Sequence, residues 1–382
     1  TCGGGSGNKV VANFGARAFT HAAPSGYSAL CTANLPDPTI ADGSAYFDTK
    51  LYTGNGGTQS ITGLDFSPDF VWIKRRNTVT SHMLYDTVRG SGATAELVSN
   101  ANYAEGSVAD VNAAQYGYLS GYTSNGFSVQ AGSSNGVYTN ENSSTYASWN
   151  WDAGSSTVTN TDGSISAQVR ANPSAGFSIV SFVSSSSVQS VGHGLNAEPY
   201  LIITKNRDAS NTWWTYHNAI GNTKALRLDD TAASATMSST WNNTTPTSSV
   251  FTVGGEWGNG NNVIAYCFAP VEGYSAFGSY VGNGSADGPF VFTGFRPAFL
   301  LVKSTTSSSG NWLIADSSRS PENVTDEILR ANTTGAETDS DYFDFLSNGF
   351  KVRGTPAGLN SSGETVVYLA FASHPFKSSR AR

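Results

Sequence analysis

Hydrophobic and polar positions alternate along many short stretches of the chain, and clusters of Gly, Asn, Ser and Pro separate these stretches. Alternation with a period of two, in segments rich in Thr, Tyr, Phe and Val, is typical of β-strands. No stretch has the apolar spacing of a helix of ten residues. The pattern therefore predicts an all-β protein.

A unit of roughly a hundred residues recurs three times along the chain. Its clearest mark is a proline followed by an apolar strand that ends in lysine, at Lys74, Lys205 and Lys303. A second apolar stretch follows each lysine after a polar turn, which predicts a hairpin. These second stretches are His82-Met83-Leu84-Tyr85-Asp86, Trp213-Trp214-Thr215-Tyr216-His217 and Asn311-Trp312-Leu313-Ile314-Ala315-Asp316.

Each unit closes on a further hairpin signal and a last apolar strand. Asn125-Gly126 and Asn348-Gly349 precede alternating apolar residues, and Ser249-Val250 is the degenerate middle copy. Six to eight short strands per unit suit a β-sandwich of the jelly-roll or concanavalin-like kind. The expected segments are an N-terminal β segment at 1–46, repeats at 47–158, 176–274 and 275–382, and a linker at 159–175.

The charge pattern narrows the functional classes. Charged residues make up 13% of the chain and the net charge is -7, so no basic surface is expected to meet a nucleic acid. No run of 18 apolar residues is present, so we expect no membrane insertion. The chain begins at Thr1 with neither an initiator Met nor a signal peptide, which indicates a fragment or a processed product.

No residue pattern predicts a cofactor or a metal site. The three cysteines have no CxxC spacing, and Cys267 lies in an apolar run, where a small buried hydrophobe is expected. The five histidines show no metal-ligand spacing, and no GxSxG, HExxH or P-loop motif occurs. We therefore expect a non-enzymatic protein.

Acidic clusters are the weaker candidates for chemistry. Paired carboxylates are what a glycosidase needs, and the last of these clusters could instead gather calcium ligands, although it lacks the EF-hand pattern. Their polar surroundings favour solvated turns. The clusters are Asp229 with Asp230, Glu322 with Asp326 and Glu327, and Asp339 with Asp341 and Asp344.

The recurring lysines suggest a pairing with the aspartates that end the second stretches. Lys74 and Lys303 have Asp86 and Asp316 as possible partners. The sequence favours an exposed cross-strand ion pair, worth tenths of a kcal/mol, over a buried pair or a crosslink.

The aromatic clusters are the best candidates for ligand binding. Flat rings beside Asn, Asp and Gly suit a glycan, whereas packing in a core or a subunit interface is the alternative. Adjacent residues of a strand face opposite sides, so one of the two neighbouring Trp must point away from its local core or into another unit. The candidate glycan-binding residues are Trp213, Trp214, Tyr216, His217, Trp241 and Trp257.

Four motifs of the first unit resemble a domain common in tail proteins of bacteriophages. They are 66–74 (FSPDFVWIK), 82–90 (HMLYDTVRG), 124–127 (SNGF) and 149–154 (WNWDAG), and the likeness extends over about residues 47–377. The segment 13–30 is similar to the closing strands of a SPRY domain. The resemblance implies a virion component with lectin-like sandwich folds and supplies no catalytic residue.

We therefore expect a tail fibre or receptor-binding appendage that contacts a host-surface polysaccharide. Its other partners would be virion tail proteins, its assembly would take place in the bacterial cytoplasm, and a trimer is the expected oligomer. Alternatives are a decoration or connector protein with no ligand, or a polysaccharide depolymerase. A purely structural role predicts that all four of Trp213, Trp214, Trp241 and Trp257 are buried, whereas an adhesin predicts at least one solvent-facing ring.

Overall fold

The computed structural model describes residues 21–22, 24–25 and 39–372, and nearly all regular structure there is antiparallel β-sheet. The α-helix of this part is the four-residue α1 (Ala113–Tyr116). The predicted all-β class is therefore confirmed. The segment that resembles a SPRY domain lies outside the described residues. Within the described ranges no helix has the length and apolar character needed to cross a membrane.

Unit 1, residues 47–151, is a sandwich of two sheets. Its strands are β1 (Phe47–Thr53), β2 (Thr58–Thr62), β3 (Phe70–Arg75), β4 (Met83–Asp86), β5 (Tyr118–Thr123), β6 (Gly126–Gln130) and β7 (Thr145–Trp151). The first sheet has the order β1-β7-β3-β4 and the second β2-β6-β5. Apolar side chains of both sheets share one core between them.

Unit 2, residues 157–268, repeats this strand order within a wider sheet. Its strands are β8 (Thr157–Asn160), β9 (Ala167–Asn172), β10 (Phe177–Val183), β11 (Gln189–Gly192), β12 (Leu201–Asn206), β13 (Trp214–His217), β14 (Lys224–Arg227), β15 (Ala235–Thr236), β16 (Val250–Val253) and β17 (Asn262–Phe268). The order is β15-β14-β13-β12-β17-β10-β9-β8, and β11-β16 forms the second layer. The segment 159–175, expected as a linker, contains the end of β8 and the whole of β9, and β9 pairs with β10.

In unit 3, residues 275–372, a single continuous eight-stranded sheet forms both layers of the sandwich. Its strands are β18 (Ser275–Val281), β19 (Asp287–Phe292), β20 (Pro297–Ser304), β21 (Leu313–Asp316), β22 (Thr325–Arg330), β23 (Thr338–Leu346), β24 (Gly349–Arg353) and β25 (Thr365–Ala372). The order is β18-β25-β20-β21-β22-β23-β24-β19. The four strands β18-β25-β20-β21 correspond to β1-β7-β3-β4 and β10-β17-β12-β13.

The four-strand sheets are buried on both faces, which explains why their strands read as unbroken apolar runs. On β3, Phe70 and Trp72 enter a core shared by all three units, whereas Val71 and Ile73 enter the core of unit 1. The same alternation holds on β12 and β20. Each unit therefore has its own core and one side of a common one.

Aromatic rings from the three units meet in the shared core. Phe70 stacks on Tyr266 with ring centroids 4.3 Å apart, and Phe47 meets Phe299 at 5.3 Å and Phe371 at 5.1 Å. A small cavity of about 10 Å³ remains at the centre. Its lining is almost wholly apolar, so a water molecule would find too few hydrogen-bond partners there. Such dense packing should make the units fold together.

Candidate functional site

The structure buries all six residues that the sequence analysis assigned to glycan binding. Trp214 is the most exposed, at 7%, and the others are at 1% or below. No ring of this set can stack on a sugar in this conformation. The structure thus gives this assignment no accessible ring, because the sheet of unit 2 is covered on both faces. The residues are Trp213, Trp214, Tyr216, His217, Trp241 and Trp257.

The two neighbouring tryptophans face opposite sides of the sheet, as predicted. Trp213 lies in the shared core, and its indole Nε1 donates to the carbonyls of Val98 (2.9 Å) and Ala101 (3.2 Å) in unit 1. Trp214 lies in the core of unit 2, beneath the Arg227 guanidinium at 5.4 Å. One ring therefore joins two units and the other stabilises a single unit.

The loop tryptophans fold back over the outer core of unit 2. Trp241 lies 5.8 Å from the Trp257 ring and 5.8 Å edge-on from Tyr216. The Trp257 Nε1 donates to the Thr204 hydroxyl at 3.2 Å. Burial raises the pKa of Tyr216 to about 12, so its phenol stays neutral. These aromatic residues replace the apolar cover that a longer second sheet would supply.

The residue that precedes β4, β13 or β21 donates a side-chain hydrogen bond to a backbone carbonyl of a neighbouring unit. Trp213 contacts unit 1 as described, and the Trp312 Nε1 donates to the Arg227 carbonyl of unit 2 at 2.7 Å. The third member, His82, accepts from the Trp72 indole at Nδ1 (2.8 Å), so its Nε2 carries the proton and donates to the Arg330 carbonyl of unit 3 (3.0 Å). The three contacts run around the molecule in one rotational sense.

The last residue of β4, β13 or β21 makes a second cyclic set of contacts. The Asp86 carboxylate of unit 1 accepts from the Tyr266 hydroxyl of unit 2 at 2.8 Å. In unit 2 the position is His217, whose Nδ1 accepts from the Ala219 N–H and whose Nε2 donates to the Tyr368 carbonyl of unit 3. Burial lowers the pKa of His217 to about 4, so the ring is neutral at pH 7.

The recurring lysines are buried and bond to backbone carbonyls, so the expected exposed ion pair with aspartate is wrong. β3 and β4 are antiparallel, which places Asp86 opposite Phe70 at the far end of the hairpin from Lys74. Lys303 donates to the carbonyls of Thr231 (3.2 Å) and Ala232 (2.8 Å) in unit 2. Burial lowers the pKa of Lys74 to about 7 and that of Lys205 and Lys303 to about 8.

Two of the three junctions between units are closed by a glutamate between two arginines. At the junction of units 1 and 2, Glu105 pairs with Arg89 of its own unit (2.9 Å) and with Arg207 (2.5 Å). At the junction of units 3 and 1, Glu337 pairs with Arg319 (2.9 Å) and Arg76 (2.7 Å). We call these the ion triads. Each glutamate also donates its backbone N–H to the carbonyl of the arginine across the junction, Arg207 or Arg76, at 2.8 Å.

The junction of units 2 and 3 has the same backbone geometry but uncharged residues at the positions of the glutamate and the two arginines. The Ser234 N–H donates to the Thr305 carbonyl at 3.0 Å, so these residues take the places of the glutamate and the far arginine. Ile220, three residues after His217, takes the place of Arg89, which follows Asp86 by three. These shorter side chains leave an open cleft of about 450 Å³, bordered also by Lys224, Thr306 and Thr365. We call it the junction cleft.

Residues 42–375 match a family described as a domain of unknown function, DUF7483. The chain belongs to this family. No curated protein matches the sequence. The DUF7483 match spans all three units, which agrees with a shared core that none of the units completes alone.

The acidic clusters of this DUF7483 chain are divided among several roles. Asp229 accepts from the Trp213 N–H at 3.2 Å, and burial raises its pKa to about 6. Asp344 pairs with Arg353, and Glu327 pairs with Arg76 at 2.8 Å. The carboxylates of Asp326, Asp339 and Asp341 come within 4.8 Å of one another on β22 and β23, and the last two are exposed. Exposed acidic groups of this kind are common without an ion.

Cys267 is fully buried, as predicted. Burial raises the pKa of its thiol, so the thiol stays protonated and unreactive. The ion triads were not predicted from the sequence. Their one local signal is the spacing Asp-x-x-Arg after β4 and β21, which becomes His217-x-x-Ile220 in unit 2.

Proposed function

We propose that this chain is a non-enzymatic bacteriophage virion protein, part of a tail fibre or receptor-binding appendage, that contacts a polysaccharide on the host surface. The proposal joins the likeness of its repeat motifs to phage tail proteins with the packing of three units around one core. A rigid body of outward-facing sandwiches suits a surface appendage.

The main support for a contact with the host surface is a pair of solvent-facing rings on β19. Phe290 and Phe292 are 47% and 65% exposed, and they share the outer face because Val291 between them enters the core. Large exposed apolar side chains that are grouped together mark interaction sites. They take over the role first assigned to the buried tryptophans.

The internal repeats supply a comparison for this pair. Phe292 lies opposite Gly349, just as Thr62 lies opposite Gly126 in unit 1. By the same register Phe290 corresponds to Ser60, and the positions in unit 2 are Ser190 and Gly192. The fold is therefore stable with small or polar residues at these two positions, and two exposed rings in unit 3 need a reason other than folding.

The residues that an enzyme would use are occupied elsewhere. Three of the four described histidines, His82, His193 and His217, are buried and bonded, and the Asp86 and Asp316 carboxylates pair with arginines. This supports a non-enzymatic role. A second candidate, a decoration or connector protein with no ligand, is favoured by the burial of all four tryptophans.

Binding of the purified chain to cells of the host bacterium, before and after periodate oxidation of surface sugars, tests the proposal. Saturable binding that is lost on oxidation supports a glycan-binding appendage. Absence of binding in both samples favours the decoration protein. New reducing ends released from capsule by the chain would point to the depolymerase instead. Immunogold labelling of virions with antibodies to the chain tests the location.

A further inference from the structure

The junction cleft is the place where the internal repetition fails. The same backbone bond crosses all three junctions, from Glu105 to Arg207, from Ser234 to Thr305 and from Glu337 to Arg76. Two junctions are filled by long charged side chains, and the third opens into about 450 Å³. That volume is within the range of small-molecule sites. The side chains of Ile220, Ser234 and Thr305 are shorter than those of the residues they correspond to, and this difference opens the cleft.

The hydroxyl groups at this cleft offer both hydrogen-bond donors and acceptors. The hydroxyls of Ser234 and Thr305 each donate to a backbone carbonyl (2.9 and 3.1 Å), which leaves their oxygen lone pairs to accept. The Thr306 hydroxyl accepts from the Thr365 N–H at 3.2 Å, which leaves its own proton to donate. A ligand with several hydroxyls is complementary to this arrangement.

One cation without a counter-charge borders the cleft. Of the lysines in the described part of the chain, Lys74, Lys205 and Lys303 are buried, while Lys50 and Lys351 pair with aspartates. Lys224 is exposed and has no carboxylate within ion-pair distance among the described residues. No aspartate or glutamate lines the cleft. An anionic group is therefore the complement that this site lacks.

We propose that the junction cleft binds a hydroxylated carboxylate of monosaccharide size, the uronic acid unit of an acidic polysaccharide. Lys224 holds the carboxylate, the hydroxyls of Ser234, Thr305 and Thr306 bond to the sugar hydroxyls, and the Ile220 side chain lies against the apolar face of the ring. The proposal rests on the proposed function for the source of the ligand.

Titration of the full chain with sodium glucuronate, followed by saturation-transfer NMR, tests the cleft. Glucose, which has the same ring without a carboxylate, is the comparison ligand. We expect saturable binding of glucuronate about fivefold tighter than that of glucose, because the carboxylate adds a charge-assisted hydrogen bond to an exposed lysine. No saturable binding, or equal binding of both sugars, overturns the proposal.

Two variants place the binding in the cleft. Lys224→Met should weaken glucuronate binding up to about fivefold and leave glucose unchanged, whereas Lys50→Met, at a partly buried lysine that pairs with Asp48 in unit 1, should change neither. The triple variant Ile220→Arg, Ser234→Glu, Thr305→Arg installs the residues of the other junctions, fills the cleft and should abolish binding. Unaltered glucuronate binding in Lys224→Met contradicts the proposal, even if the triple variant does not fold.

The two proposals can fail separately. Glucuronate binding in a chain that does not bind host cells would overturn the proposed function and leave the cleft assignment standing. Sugar-dependent cell binding with no glucuronate binding would do the reverse.

Discussion

The indole N–H of Trp149, in unit 1, donates to the Asp316 carboxylate of unit 3 at 3.0 Å, and both side chains are fully buried. The same carboxylate pairs with Arg319 at 2.6 Å, and the Arg319 guanidinium lies 5.5 Å from the Trp149 ring. A buried charge pair is costly to break because one partner is left without compensation. The buried ion pair of unit 3 is therefore hydrogen-bonded to an aromatic core residue of unit 1.

Asp316→Asn should lower the free energy of unfolding by about 3 kcal/mol, because Arg319 loses its nearest counter-charge in a place without water. Urea denaturation measures the change. Asp341→Asn, at an exposed carboxylate, is the control and should change stability by less than about 0.5 kcal/mol. A small effect of Asp316→Asn would show that Glu337 alone compensates Arg319.

The three units should unfold in one transition because they share a core. We expect calorimetry to give one peak whose calorimetric and van't Hoff enthalpies agree. Phe371→Ala, which removes a ring in contact with Phe47 and Phe299, should lower the stability of the whole chain by about 3–5 kcal/mol without splitting the peak. Separate transitions would contradict the shared core as the source of cooperativity.

The ion triads should stabilise their two junctions more than the uncharged residues stabilise the junction of units 2 and 3. Glu105→Gln and Glu337→Gln should each cost about 2 kcal/mol, since each variant weakens charge-assisted bonds to two arginines while Asp86 and Asp316 still compensate the buried Arg89 and Arg319. Ser234→Ala at the equivalent position removes one hydroxyl bond and should cost about 1 kcal/mol. Denaturation midpoints of the three variants make the comparison, and equal losses at all three positions would refute it.

His217 should make stability depend on pH between about 4 and 6.5. Its folded pKa of about 4 lies below the ordinary value of 6.5, so the unfolded chain binds the extra proton in this window and stability falls as the pH falls. Between pH 6.5 and pH 4 the wild type should lose about 3 kcal/mol relative to His217→Gln, and nothing above pH 6.5. A difference between the two proteins that is constant with pH would rule out this role.

The exposed rings of β19 allow a matched test of the surface contact. The double variant Phe290→Ser, Phe292→Thr places the residues of unit 1 at the same register positions. Because Ser60 and Thr62 occupy these positions in a folded unit, the change in stability should be below about 0.5 kcal/mol. We expect binding to host cells to weaken at least fivefold, and unchanged binding would exclude this pair.

The sequence predicts the strands and hairpins well because their signals are local. The lysine-ended strands, the Asn-Gly turns and the opposite directions of Trp213 and Trp214 follow from period-two alternation. Burial of the six candidate residues could not be read in this way, since it depends on units a hundred or more residues apart in the chain. The strands β8 and β9 were missed because their polar outer faces resemble a linker.

The buried lysines, the ion triads and the junction cleft were harder to predict from the sequence than the strands. A lysine at a strand end is usually exposed, and only the packing of a neighbouring unit buries Lys303 against Thr231 and Ala232. The ion triads join residues about 100 to 260 positions apart, and the junction cleft is recognised only when three junctions are compared. Long-range geometry of this kind leaves no pattern in a single stretch of sequence.

Because the three units belong to one chain, the residues at each junction can change independently of those at the other two. In an assembly of identical chains every substitution is copied at each junction, so an opening would appear three times or not at all. Here the residues at 105, 234 and 337 are encoded separately, and two junctions stay sealed while one is open. The number of clefts in an assembly therefore equals the number of chains, whatever the number of similar units in each chain. The cleft also distinguishes one side of a body whose three units are otherwise alike.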